Sequence, residues 1–124
     1  MLLVYTQEKA RARMSNADSE RLIAGHAAVQ SEATKRGVFR GAEPLMPTST
    51  ATTVRTANGK VMIIDGPFAE TKEQLGGYYI LECETLEEAV EWAKRIPTEC
   101  GGAAGSIEIR AIRPTPVLDS LREQ

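Results

Sequence analysis

The chain is poor in the residues that announce most chemistries. It has one histidine, two cysteines and one tryptophan in 124 residues, and aromatic side chains make up 5%. One imidazole and two thiols far apart in sequence cannot supply the usual four-ligand set of a zinc site, so no metal is expected. Cys83 and Cys100 fall in no C-x-x-C spacing, and neither has a cationic neighbour in sequence that would favour a thiolate nucleophile. A reduced, cytoplasmic setting is the expectation. No apolar run approaches the roughly 20 residues of a spanning helix. Met1-Leu2-Leu3-Val4-Tyr5 turns polar too soon for a signal sequence, so neither export nor membrane contact is expected. Excess charge is lacking too: fifteen Lys plus Arg against seventeen Asp plus Glu leave a net charge of −2, which argues against holding nucleic acid by general phosphate neutralisation. There is no P-loop. Gly76-Gly77 precedes a strand and not a helix, the wrong context for pyrophosphate, and no cofactor is expected.

What remains is ordinary globular usage, 42% apolar and 26% charged, in a length that suits a single domain over 1–124. Leu2 to Thr6 is a short run of strand formers. Gln7 to Ala17 is polar, carries Lys9, Arg11 and Arg13, and reads as an exposed loop with solvated charge. From Asp18 to Arg36 the positions Leu22, Ile23, Val29 and Ala33 keep a helical period, with Gly37 where a C-terminal cap belongs. His26 lies four residues after Leu22 and three before Val29, hence on the apolar stripe. It is a core histidine bonded to a carbonyl, or it opens into a cleft. Val38-Phe39-Arg40 begins a strand whose exit is made irregular by Pro44 and Pro47, as at a sheet edge. Thr50 to Thr56 and Lys60 to Asp65 flank Asn58-Gly59, the strongest short hairpin signal. Gly77 to Glu84 is a strand with Tyr78 and Ile80 on one face and Tyr79, Leu81 and Cys83 on the other, apolar on both. Thr85-Leu86-Glu87-Glu88 is a capping box, and Leu86, Ala89, Val90, Ala93 and Ile96 continue at helical spacing with Trp92 at the flank. A strand over 107–111 and a helical turn over 117–124 complete the chain.

The most distinctive stretch is Asp65-Gly66-Pro67-Phe68 with the charged run after it and Gly76-Gly77-Tyr78-Tyr79. Glycine tolerates positive φ and proline ends a ladder, so the chain turns there. This stretch resembles the signature of the DGPF-type branch of the YCII-related proteins. The resemblance implies a small ferredoxin-like α+β protein, found as a homodimer in a dimeric α/β barrel-like assembly. The order of elements agrees: strand, helix, strand, hairpin, strand, helix, strand is a split β-α-β arrangement with an extra hairpin, an antiparallel sheet with two helices on one face. The other face is left without a helix, and an uncovered apolar sheet face calls for a partner, here a second copy.

YCII-related proteins carry a histidine on the first helix, ahead of the glycine that ends it, the places held here by His26 and Gly37. The family's aspartate often stands in an Asp-Pro-Phe after the second helix, where this chain reads Ile96-Pro97-Thr98. Asp65 is the substitute carboxylate, so His26 and Asp65 are the candidate catalytic pair for general acid/base work on a small molecule. Asp65 is equally a turn residue that accepts from the loop N–H groups, and Phe68 reads as a plug anchoring the loop. Glu70, Thr71 and Lys72 are held between a tight turn and Gly76-Gly77 and are candidate ligand-binding residues. The resemblance also implies an alternative, a non-enzymatic accessory or regulatory module associated with extracytoplasmic-function sigma factors.

Overall fold

A computed structural model describes residues 1–123. Strand β1 (Leu2–Thr6) leads through a short helix α1 (Glu8–Arg11) to the long helix α2 (Asn16–Lys35) and strand β2 (Phe39–Pro44). A hairpin follows, β3 (Thr52–Ala57) and β4 (Lys60–Asp65), then β5 (Gln74–Leu81), α3 (Leu86–Arg95), β6 (Ser106–Ile109) and α4 (Pro116–Arg122). The main sheet has four strands in the order β2-β5-β1-β6, all neighbours antiparallel, which is the ferredoxin-like arrangement. The hairpin forms a separate two-stranded sheet.

Alternation along the strands divides the sheet cleanly. Leu2 and Val4 of β1 stand opposite Tyr79 and Gly77 of β5 on one side and Ile109 and Ile107 of β6 on the other. This face packs against Val29 and Ala33 of α2 and against Trp92 and Ile96, at the inner side and end of α3. The opposite face carries Leu3, Tyr5, Tyr78 and Ile80, none of which belongs to that core.

Local signals place the helices. Ser15 Oγ accepts from the Asp18 N–H at 3.1 Å to start α2. At its end Val38 N–H bonds Ala33 O and Gly37 N–H bonds Thr34 O, a Schellman closure that requires the positive φ of Gly37, 72°. Thr85 Oγ1 caps α3 from the Glu88 N–H, while the Glu88 carboxylate reaches back to the Glu84 N–H. Where α2 passes the end of α3, a Cβ on Gly25 would stand 3.0 Å from Pro97, so the missing side chain sets the helix spacing.

Several details differ from the sequence reading. Gln7 to Ala17 is not a loop throughout: Ala10 is buried, α1 forms around it, and α2 starts two residues early because Ser15 supplies the cap. The central strand is displaced toward its N-terminus, since Leu75 and Gln74 pair with Tyr5 and Thr6 across a bulge while the strand ends at Leu81, with Glu82 N–H making a last bond to Val38 O. The stripe of α3 is Ala89, Trp92 and Ile96; Trp92 is 3% exposed at the centre of the core, and Leu86 faces solvent. Arg36 and Arg95 cover the indole, their guanidinium carbons 5.3 and 5.2 Å from the ring centroid. Phe68 is no plug: it is 82% exposed. The last strand ends at Ile109, and the helical turn at the C-terminus is α4, with Gln124 outside the described residues.

Asn58 has φ 53° and Gly59 φ 74°, the two left-handed residues of a type I′ turn. A β-branched residue is strained there, so Asn58→Val weakens the hairpin by about 1 kcal/mol. Amide hydrogen exchange checks this: exchange of the β3 and β4 amides speeds up roughly fivefold, while that of the main sheet is unchanged.

Candidate functional site

The stripe of α2 that packs on the sheet runs Leu22, His26, Val29, Ala33, one residue per helical turn. His26 is thereby held over β5, and its Nδ1 lies 2.6 Å from the hydroxyl oxygen of Tyr79. The two rings are nearly parallel, 16° between planes with centroids 5.9 Å apart. Tyr79 itself is 3% exposed, set between Leu2 of β1 and Ala42 of β2. The phenol body is core and only its oxygen reaches the site.

Beside this pair is a cavity of about 280 Å³ between α2 and the strands, walled by Val4, Leu22, Ile23 and Ala27 and bordered by Gln30 and Arg11. Glu43 and Tyr78 border it through their strand backbones, because pairing puts their side chains on the other sheet face. Among the described residues His26 Nε2 has no hydrogen-bond partner, and no buried side-chain nitrogen or oxygen there lacks one. Nε2 is therefore open to solvent on the half-buried ring.

Burial, and after it the Arg11 guanidinium, hold the imidazole below the ordinary histidine value. Burial likewise raises the Tyr79 phenol, with the Gln30 side chain acting against it. Both groups are thus neutral at neutral pH. When Tyr79 donates to Nδ1, Nε2 carries the ring proton and is a donor; when Nδ1–H donates to the phenol oxygen, Nε2 is a free base. One pair of side chains presents either role to a bound molecule.

A second hollow of about 680 Å³ adjoins the first, sharing Thr6, Arg11, Pro44 and Gly76 with it and extending past Lys9, Leu45 and Met46. Its outer wall is fixed by Glu8, whose carboxylate accepts from the Thr48 N–H and hydroxyl, both at 2.7 Å. Gln74 Oε1 accepts from the Glu8 N–H at 2.9 Å and so ties α1 to the start of β5.

Asp65 lies elsewhere. It ends β4 opposite Thr52 in the separate hairpin, is exposed, and borders neither hollow. No hydrogen bond to its carboxylate is found among the described residues, so the loop turns without it; Gly66 N–H bonds Ala51 O instead. Thr71 donates to the Glu73 carbonyl within its own loop, and Glu70 and Lys72 are exposed there, away from both hollows. Tyr79 and Arg11 are the site groups that sequence reasoning did not connect to His26. The alternation of β5 did put Tyr79 on one face with Leu81, but nothing in a linear sequence says that the His26 turn of α2 lies above it.

The family model for the YCII-related domain matches residues 1–116. The chain belongs to the YCII-related family. It is also similar to an uncharacterised protein of Rhizobium meliloti (strain 1021), 35% identical over 111 residues, which cover 90% of this chain and 89% of that protein. In this YCII-related protein the segment after α3, where the family resemblance led one to look for an acid, is used for packing: Ile96 is buried and Pro97 fits the bare backbone of Gly25 beside His26. Among the described residues no cluster of three or more His, Cys, Asp or Glu is placed to hold a metal ion, and no helix is long and apolar enough to cross a membrane.

With one histidine in the chain, a single imidazole Cε1–H signal reports the site by NMR. Its titration midpoint falls below about 6.5, the ordinary value. In that window the unfolded chain binds more protons than the folded one. The His26 contribution to stability is therefore complete above pH 6.5 and lost as pH falls toward the lowered native value. The Tyr79 phenol, raised by burial, keeps its proton over this range. Urea unfolding at stepped pH checks the sign: the stability difference between wild type and His26→Gln shrinks as pH falls below about 6.5.

Proposed function

We propose that this YCII-related protein binds a small molecule in the cavity beside His26 and that His26 donates protons to it or removes them. The observation that carries the reading is the division of labour on one ring: Nδ1 is fixed by Tyr79 and Nε2 is left open. Such an arrangement suits isomerisation, proton abstraction or water-mediated breakdown of a carbonyl compound. In this reading Tyr79 takes the orienting part first assigned to Asp65. Asp65 and the loop residues Glu70, Thr71 and Lys72 are given no role at the cavity of their own protomer.

The test uses the single imidazole signal. Titration with a library of small carbonyl compounds and anions yields at least one compound that shifts it in saturable fashion, and His26→Gln weakens that compound's binding or abolishes its conversion. A library that leaves the signal unmoved overturns the reading.

We also propose a homodimer. Leu3, Tyr5, Tyr78 and Ile80 line the sheet face opposite the core that α2 and α3 build, and a second copy hides such a face most simply. Sedimentation equilibrium at about ten micromolar gives twice the chain mass, whereas a persisting monomer overturns the proposal. The accessory-module reading draws on a separate observation, the apolar side chains Val54, Val61 and Ile63 that β3 and β4 show to solvent. They are a surface on which another protein could dock.

A further inference from the structure

We infer that Arg11 makes the His26 site selective for small carboxylates, holding the ligand's carboxylate where the two hollows meet and leaving its apolar body against Leu22, Ile23 and Ala27. The inference rests on the small-molecule reading above and names the class of molecule.

Arg11 is placed for this by the fold. It is the last residue of α1, which the Gln74 and Glu8 contacts pin at both its start and its flank. Its side chain borders both hollows and makes no ion pair among the described residues. The Glu8 carboxylate, the acid nearest in sequence, is already committed to Thr48. The junction itself is roomy because Gly76 lacks a side chain: a Cβ there would stand 3.3 Å from Thr6 Oγ1 and 3.9 Å from Arg11 Nη1. A guanidinium and a hydroxyl thus converge on a bare stretch of backbone.

Charge and shape then select the occupant. Among the described residues Arg11 is the one cationic side chain of the inner cavity, and the acid on its border, Glu43, points to the other sheet face. A planar guanidinium pairs two oxygens side by side, which is carboxylate geometry. A phosphate would want donors around a third oxygen, and the inner walls are aliphatic. An apolar pocket with a few convergent polar groups suits a molecule with one anionic end. Such a ligand would bring its reacting carbon under His26 and its carboxylate to Arg11.

The experiment compares straight-chain carboxylates of about four to eight carbons with their primary amides and with inorganic phosphate, by calorimetry and by the His26 signal. Expected for wild type is carboxylate binding roughly tenfold or more tighter than the matching amide. In Arg11→Gln, which alters an exposed side chain and keeps the wild-type melting curve, the ratio falls to about one, with amide affinity unchanged. Gly76→Ala, which fills the junction, weakens carboxylates and leaves Arg11 in place. Equal binding of acids and amides to wild type, or a preference that survives Arg11→Gln, overturns the inference while ligands that still move the His26 signal sustain the site reading. Phosphate competing with the acids in an Arg11-dependent way overturns the carboxylate assignment in favour of a general anion site. Acids, amides and phosphate that all leave the His26 signal unmoved also overturn it, and the site reading is then decided by the neutral carbonyl compounds of the wider library.

Discussion

The hydrogen bond between Tyr79 and His26 joins the two halves of this structure, the packed core and the open cavity. Tyr79 is fully enclosed, and a phenol in such a place needs a partner for its hydroxyl. His26 is that partner, delivered by the same helical stripe that supplies Val29 and Ala33 to the core. The position of the imidazole is therefore set by core packing and not by a loop. Gly25 and Pro97 add to this from the other side, since the close approach of α2 to the end of α3 fixes the turn that carries His26. Sites built on packed elements in this way hold their geometry better than sites built on loops.

The mouth of the site is arranged by polar contacts of a different kind. Gln74 is the common tie: its Oε1 accepts from the start of α1, and its Nε2 donates to the Thr71 carbonyl. The conspicuous Asp-Gly-Pro-Phe loop thus bears on the site through one glutamine at the head of β5, not through its own charged residues.

Much of the fold was legible because each element carried its own local signal. Asn58-Gly59 specified the hairpin turn, Thr85 and Glu88 the start of α3, and Gly37 the end of α2; all three act within a few residues. The succession of strand, helix, strand, hairpin, strand, helix and strand could likewise be read along the chain. What local rules did not reach was depth. Trp92 was placed at a flank because the apolar stripe of α3 was drawn through Leu86, yet the choice between those stripes depends on where the sheet lies. Phe68 reads in the sequence as a plug anchoring its loop, and its exposure shows that an apolar ring beside a turn does not say what is nearby. The site was half legible for the same reason. His26 declared itself by its place on a stripe, whereas Tyr79 and Arg11 become site residues only through contacts between elements far apart in sequence.

The indole of Trp92 lies under two guanidinium groups of like charge, one from the C-terminal cap of α2 and one from the last residue of α3. Each cation favours the negative end of its own helix, and the ring's electron-rich surface lets both approach it, while Glu32 also pairs with Arg36. If the ring were lost, both guanidinium groups would lose the surface they cover and a void would open beneath them. Substitution at this point is therefore expected to be collective: a smaller side chain at Trp92 strips Arg36 and Arg95 of the ring they share, which couples three positions that join the ends of both large helices.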